Sequence, residues 1–201
     1  MASTQQLKSR IRSVKNTKQI TKAMQMVAAS KMRRAQDATK ASKPYTSSAD
    51  DLLAYLSSQG VTDNHPLFRK RAIKSRLIIV IAADKGLAGA YNSSVLKKYV
   101  ELLKRDDDRG INNLTITVGR KASQFASRLK DTEIIGNYDD LPDKPEGVTF
   151  HTILNTACDM YRNKEVDAVT VVYTNFVTSI TQEASRMRLL PAGTPVDSDP
   201  A

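Results

Sequence analysis

The sequence predicts an α/β protein in which a long, projecting amino-terminal helix is followed by a small, doubly wound domain with a mainly parallel sheet. Two features of the 201 residues predict this fold. Residues 10–36 contain no proline or glycine and repeat apolar residues at helical spacing, which indicates one long helix. From Arg76 onward, β-branched apolar runs alternate with amphipathic segments, which is the pattern of parallel strands joined by helices.

The first helix is expected to begin next to Ser3, because Ser3 and Gln6 have the spacing of an N-terminal capping box. Pro44 removes one helical hydrogen bond, so it is expected to kink or end the helix, which would then resume from about Ser47. We therefore assign residues 1–58 to one shaft with a kink near Pro44.

Small and apolar residues follow one another along this helix at spacings of three and four, so they lie on one side of it. We call this line the seam, and its members are Leu7, Ile11, Val14, Thr17, Thr21, Met24, Ala28, Met32 and Ala35. The spacing is typical of a coiled-coil surface that packs against a partner helix. A mostly basic line runs one position further along, formed by Lys8, Arg12, Lys15, Gln19 and Lys22.

The net charge of the protein is confined to the same helix. The first 43 residues hold eleven of the 31 Lys and Arg residues but only one of the 21 acidic residues, Asp37, so they carry the whole net charge of +10. A merely solvated helix usually mixes its signs, so this surface is predicted to face an acidic partner.

The remaining elements are expected in the following order. Residues 59–75 form a linker, 76–190 an α/β domain and 191–201 a polar tail. Strands are expected at 77–81, 114–118, 132–135 and 168–173, and helices at 95–103, 121–129 and 150–162. The type of the last element, 178–190, is left open.

No catalytic, cofactor-binding or metal-binding residue is predicted. The turn from Gly86 to Gly89 follows the first strand, but it lacks the spacing of a phosphate-binding loop and is expected to be structural. The three carboxylates at 106–108 are expected to lie in a solvated turn after a helix, and Cys158 is expected to be a small core residue. The longest apolar run, 77–83, is too short to cross a bilayer.

The residues alone leave two other functions open. A basic helix could bind nucleic acid through its phosphates, and a strand, turn and helix with glycines could belong to a nucleotide-binding α/β enzyme. The seam argues against the first function, because it needs a protein partner. The sequence pattern argues against the second, because it contains no recognisable group of acid, base and nucleophile.

Three segments carry a resemblance to a known family. Residues 16–24 (N-T-K-Q-I-T-K-A-M), 26–33 (M-V-A-A-S-K-M-R) and 84–89 (D-K-G-L-A-G) resemble the gamma subunit of the F-type ATP synthase. The resemblance implies a non-catalytic central-stalk rotor whose first helix is half of an antiparallel coiled coil. Such a rotor couples rotation driven by proton flow to conformational change and ATP synthesis in the beta subunits.

The resemblance also implies partners, a location and contact residues. The partners are the alpha and beta subunits of the catalytic ring, the epsilon subunit and the membrane ring of c subunits, with no cofactor, nucleic acid or direct membrane insertion. The protein would be peripheral, on the cytoplasmic face of the bacterial plasma membrane or the equivalent organelle face. The residues implied to contact the beta subunits are Lys18, Lys22, Met24, Lys31, Arg33 and Arg34.

One departure from the family is expected. The sequence after Leu190 is rich in proline and polar residues, and no second helix with a seam is recognised in the chain. The chain is therefore expected to be a truncated or split gamma subunit that lacks the family's carboxy-terminal helix.

Overall fold

The computed structural model describes residues 3–62, 64–130, 132–140, 148–178 and 180–193. The chain divides into two units, one ending at Leu52 and the other beginning at Leu53. The boundaries assigned above to a shaft, a linker and a domain stay predictions. Residues 194–201 of the predicted polar tail lie outside the described residues.

Helix α1, Thr4–Ser58, has 55 residues and begins with the predicted cap. The backbone N–H of Ser3 donates to Gln6 Oε1 at 3.3 Å, and Ser3 Oγ accepts a hydrogen bond from the Gln5 N–H at 3.2 Å. These bonds give acceptors to backbone N–H groups that have no partner within the helix at its start. The predicted capping by Ser3 and Gln6 is therefore confirmed.

Helix α1 continues through Pro44, so the predicted end and restart of the helix there is wrong. A proline removes only one backbone donor, and the neighbouring hydroxyls supply other donors to the carbonyls of the same turns. Thr46 Oγ1 donates to the Lys43 carbonyl at 3.0 Å, and Ser42 Oγ donates to the Thr39 carbonyl at 3.1 Å. A bend of the helix at Pro44 stays a prediction.

The second unit contains one sheet, and its described strands alternate with helices along the chain until the last two strands, which follow one another directly. These strands and helices are β1 Ser75–Ile81, α2 Tyr91–Asp107, β2 Asn112–Val118, α3 Arg120–Ala126, β3 Glu133–Tyr138, α4 Val148–Arg162, β4 Ala168–Phe176 and β5 Gln182–Leu190. The strand order is β3-β2-β1-β4-β5, and every pairing is parallel except that of β4 with β5. The predicted mainly parallel α/β fold is confirmed, and the element left open is an antiparallel edge strand.

Strand β1 lies at the centre of this sheet and is buried on both faces, which explains its continuous apolar run. Leu77 and Ile79 belong to a core cluster that includes residues of α4. Ile78 and Val80 point to the opposite face and join a cluster with residues of α2 and α3. The two-residue periodicity of a strand therefore divides one apolar segment between two cores.

The carboxylate of Asp106 is not in a solvated turn, as the sequence predicted, but fully buried in the last turn of α2. It forms an ion pair with Arg76, whose Nε lies 2.6 Å from Asp106 Oδ2 and whose own side chain is 1 % exposed. Arg76 Nη1 also donates to Thr170 Oγ1 at 2.8 Å. The prediction failed because a buried arginine at the start of β1 needs a buried anion.

Candidate interaction surface

Helix α1 has no buried residue within its described part. Along the seam the large apolar side chains are half or more exposed, from Leu7 at 50 % to Val14 at 67 %. Extended apolar surface of this kind usually marks a site of protein interaction. The seam therefore has the properties of a packing surface for another chain segment.

The middle of the seam is made of small residues whose polar atoms are already satisfied. Thr17 Oγ1 donates to the Ser13 carbonyl at 3.0 Å, and Thr21 Oγ1 donates to the Thr17 carbonyl at 2.8 Å. These hydroxyls need no partner from outside the helix. The centre of the seam can therefore pack closely against an apolar surface without leaving a buried donor unpaired.

A second exposed line was missed by the sequence analysis. Ile20 and Val27 are 62 % and 58 % exposed, yet neither belongs to the seam. They recur with Met24, Lys31 and Arg34 at spacings of four and three, and we call this line the apolar–basic flank. The spacing is present in the sequence, and Met24 lies at the border between the seam and this flank.

The six predicted contact residues fall on two sides of helix α1. Met24, Lys31 and Arg34 lie on the apolar–basic flank. The other three, Lys18, Lys22 and Arg33, form what we call the basic flank. At about 100° per residue, each flank lies about 90° from the centre of the seam, so the two flanks point in opposite directions.

All six side chains are exposed, so each is accessible to a partner. In the described part of the chain, Lys18, Lys22, Arg33 and Arg34 form no ion pair with a carboxylate. Their contact with beta subunits stays a prediction. On the helix, the six residues form two separate surfaces.

The turn after β1 is built as a structural turn. Asn92 Oδ1 accepts a hydrogen bond from the Ala83 N–H at 3.0 Å, which ties the start of α2 to the end of the strand. Asp84 Oδ1 accepts hydrogen bonds from the backbone N–H groups of Arg120 and Asp140, each at 3.0 Å. Asp84 therefore caps α3 with its carboxylate, and this negative charge two residues before Gly86 would disfavour a phosphate in the turn.

The groups with shifted pKa values lie in the core of the second unit. Burial raises the pKa of Tyr99, and its hydrogen bond with Thr115 opposes that shift. Burial lowers the pKa of Arg76, and the charge of Asp106 opposes that shift. Each of these groups is paired with a core neighbour, so these shifts report packing and not a catalytic site.

The described ranges lack the features of two other kinds of site. They contain no group of three or more His, Cys, Asp or Glu side chains arranged to hold a metal ion. They also contain no helix long and apolar enough to cross a membrane. Cys158 is half-buried and packs against the core of the α4 face, as the sequence predicted.

Comparison with known proteins shows similarity along nearly the whole chain. A family described as ATP synthase matches residues 3–200. The ATP synthase gamma chain of Cupriavidus pinatubonensis is 37 % identical over 191 residues, which are 95 % of this chain and 65 % of that protein. The ATP synthase gamma chain of Glaesserella parasuis is 35 % identical over 199 residues, 99 % of this chain and 69 % of that protein. The chain spans about two thirds of the length of these curated relatives.

A solved structure shares the fold. The structure described as the central stalk and c-ring of Tetrahymena thermophila mitochondrial ATP synthase contains a similar chain, with a TM-score of 0.59 and 29 % identity. The match covers 86 % of this chain and 72 % of that one. The long helix and the mainly parallel sheet are therefore found together in a central stalk.

Proposed function

The chain belongs to the ATP synthase gamma-chain family, and on this premise we propose that it is a non-catalytic rotor in the central stalk of an F-type ATP synthase. In this function it couples rotation driven by proton flow to conformational change and ATP synthesis in the beta subunits. The chemical reaction takes place in those partners. The residues of this chain transmit rotation.

One observation carries the proposal: helix α1 exposes an apolar seam with a chemically different flank on either side. The seam fits a second helix, as in a coiled coil, and the two flanks then stay accessible. A shaft inside a ring of alternating alpha and beta subunits presents different sides to different subunits. At any moment, therefore, one beta subunit meets the basic flank while another meets the apolar–basic flank.

The exposed cations suit a shaft that has to turn past several equivalent subunits. Lys and Arg side chains are long and flexible, and an exposed ion pair contributes only about 0 to 1 kcal/mol. Contacts of that strength bias a rotary position without holding the shaft in it. The charge of residues 1–43 therefore supports assembly and coupling, not chemistry.

The proposed partners are the alpha and beta subunits around α1, and the epsilon subunit and c-ring at the α/β unit. The similarity to a chain from a solved central stalk with its c-ring supports the general arrangement. Through the c-ring the protein would be a peripheral component on the cytoplasmic face of a bacterial plasma membrane, or the equivalent organelle face. The nucleic-acid and nucleotide-enzyme alternatives have less support, because the seam and the Asp84 cap argue against them.

The test is charge reversal on each flank in a reconstituted complex. One variant carries Lys18→Glu, Lys22→Glu and Arg33→Glu, and another carries Lys31→Glu and Arg34→Glu. We expect each variant to lose part of its coupled ATP synthesis, and to lose more at low ionic strength, where charges are less screened. The measurement is ATP synthesis driven by a proton gradient, with ATP-driven proton pumping as a second readout.

A matched control for the first variant reverses three exposed lysines of the second unit, Lys97, Lys104 and Lys130, and a control for the second reverses only Lys97 and Lys104. Each control changes the charge as much as its flank variant without altering α1. Both controls should keep normal coupling. Unchanged synthesis in both flank variants would show that the flanks have no role in coupling. Equal losses in the controls and the flank variants would show that only total charge matters.

A further inference from the structure

A polar cleft in the second unit is not used by the proposed rotor function. It has a volume of about 340 Å³ and lies where the end of α1, the segment before β1 and the segment after β5 meet. Its lining includes Ser57, Thr62, Phe68, Arg69, Lys70 and Gly193. This volume is at the lower end of the range of small-molecule sites.

The backbone that forms the cleft is held in place from both sides. The Leu67 carbonyl accepts a hydrogen bond from the Ala192 N–H at 2.8 Å. Two residues further on, the Arg69 carbonyl accepts one from the buried Tyr161 hydroxyl at 2.7 Å. Phe68 lies between these two hydrogen-bonded residues, so the backbone segment that places its ring in the cleft is held in position before any ligand binds.

The side chains of the cleft supply positive charge and hydroxyl groups. Arg69 and Lys70 form no ion pair with a carboxylate in the described ranges, and none of the described lining residues is acidic. The next cation along the chain, Arg71, behaves differently. Its Nε lies 2.7 Å from Asp167 Oδ1, and its guanidinium stacks 4.2 Å from the centre of the Tyr161 ring. Arg71 therefore packs against the core through Asp167 and Tyr161, whereas Arg69 and Lys70 line the cleft.

The cleft also depends on the absence of a side chain at one position. Gly193 has a φ of +73°, and a Cβ placed there would lie 3.4 Å from the Phe68 ring and 3.8 Å from Ser57 Oγ. A side chain at this position would extend into the space between these residues. The glycine therefore keeps the floor of the cleft open.

From this geometry we infer that the cleft binds a small phosphate-bearing ligand. The guanidinium of Arg69 and the ammonium of Lys70 would hold the phosphate oxygens, because cationic donors form the strongest hydrogen bonds to such anions. The Ser57 and Thr62 hydroxyls can donate to the same oxygens, and the Phe68 ring offers an apolar surface to an organic part. The ligand could be a free phosphate compound or the headgroup of a lipid.

A competing explanation assigns both cations to the helix. Helix α1 has no basic residue in its last turn, so Arg69 and Lys70 could simply balance the negative end of its dipole. The two explanations make different predictions. A binding site gains occupancy with added phosphate, whereas a dipole partner only changes the stability of the fold.

The experiment titrates the isotope-labelled full chain with pyrophosphate, and separately with glycerol 3-phosphate, which carries the phosphomonoester of a lipid headgroup. Amide NMR shifts localise binding, which separates the cleft from non-specific contacts with the basic α1. We expect saturable shifts at Thr62, Lys70 and Gly193 with an affinity tighter than ~10 mM. The ligand that binds more tightly shows whether the cleft prefers an inorganic phosphate or the glycerol phosphate group found in a phosphatidic acid headgroup.

The variant Arg69→Gln with Lys70→Gln should bind at least about tenfold more weakly, because it loses two charged hydrogen bonds. The control Lys97→Gln with Lys104→Gln removes the same charge from α2 and should bind normally. No saturable shift at the cleft in the unaltered chain, or the same shift in the Arg69 and Lys70 variant, would overturn the inference. Because the isolated chain is used, neither result depends on the rotor function.

Discussion

The buried ion pair between Arg76 and Asp106 allows a sharp prediction about stability. Arg76 Nε lies 2.6 Å from Asp106 Oδ2, Nη2 donates to Oδ1 at 3.4 Å, and both side chains are at most 1 % exposed. Replacing Asp106 by Ala leaves a desolvated guanidinium without its buried counter-ion. Removing one partner of such a pair costs about 3–5 kcal/mol, so we expect Asp106→Ala to lower the free energy of unfolding of the second unit by that amount.

A neutral partner of Arg76 gives a reference for this loss of stability. Arg76 Nη1 donates to Thr170 Oγ1 at 2.8 Å, a single hydrogen bond to a neutral acceptor. Thr170→Val should therefore cost only about 1–2 kcal/mol. The double variant Arg76→Met with Asp106→Leu removes both charges and fills the space with apolar atoms. The double variant should be clearly more stable than Asp106→Ala, because replacing both members of a buried ion pair by apolar residues costs little free energy of unfolding.

The assay is urea unfolding followed by near-ultraviolet circular dichroism. The chain has no tryptophan, and the fully buried Tyr99 and Tyr161 give a signal that reports packing of the second unit. Helix α1 contributes mainly to the far-ultraviolet signal, which can be recorded in parallel. A loss below about 1 kcal/mol for Asp106→Ala would refute the reasoning, since it would mean that the arginine is not dependent on a buried anion.

Two further predictions concern the same unit. Burial raises the pKa of Tyr99, so the stability that this shift contributes is complete below pH ~10, the ordinary tyrosine pKa. That stability is lost as the pH rises through the higher pKa of the folded state. Tyr99→Phe should weaken this alkaline loss of stability, and it should cost about 1 kcal/mol at neutral pH because it removes the 2.8 Å hydrogen bond with Thr115. Urea midpoints between neutral and alkaline pH check this, and an unchanged alkaline slope would contradict it. Gly119→Ala should destabilise by at least ~2 kcal/mol, because its φ is +90° and a Cβ would lie 2.1 Å from the Ala82 carbonyl oxygen. Gly110→Ala is the control: its φ is +66° but nothing lies within 4 Å of the added Cβ, so only about 1 kcal/mol is expected.

Local patterns predicted most of the architecture. The apolar run of β1 indicated a strand covered on both faces, and Ser3 with Gln6 indicated the start of α1, since both signals depend on residues close in sequence. The type of β5 could not be predicted, because its strand character comes from pairing with β4. The apolar pattern within one segment does not show which strand that segment will pair with.

The roles of Asp106 and Asp84 could not be predicted because both depend on residues that only the fold brings together. Asp106 was expected in solvent because a carboxylate near a helix end usually lies there, and its role depends on Arg76, 30 residues away in sequence. The capping role of Asp84 depends on backbone groups brought together at one edge of the sheet. The end of the helix expected at Pro44 was wrong for a local reason, because a proline removes only one backbone donor and α1 continues past it. The second flank of α1 was missed although its spacing was present in the sequence.

The most direct test of the rotor function is assembly with a catalytic ring. The full chain is mixed with separately purified alpha and beta subunits, and the complex is isolated by size exclusion and weighed by native mass spectrometry. We expect one copy of this chain per ring of alternating alpha and beta subunits, with α1 protected from amide hydrogen exchange only in the complex. A chain that stays free of the ring, or that binds its outside with α1 still exchanging, would contradict the proposed function.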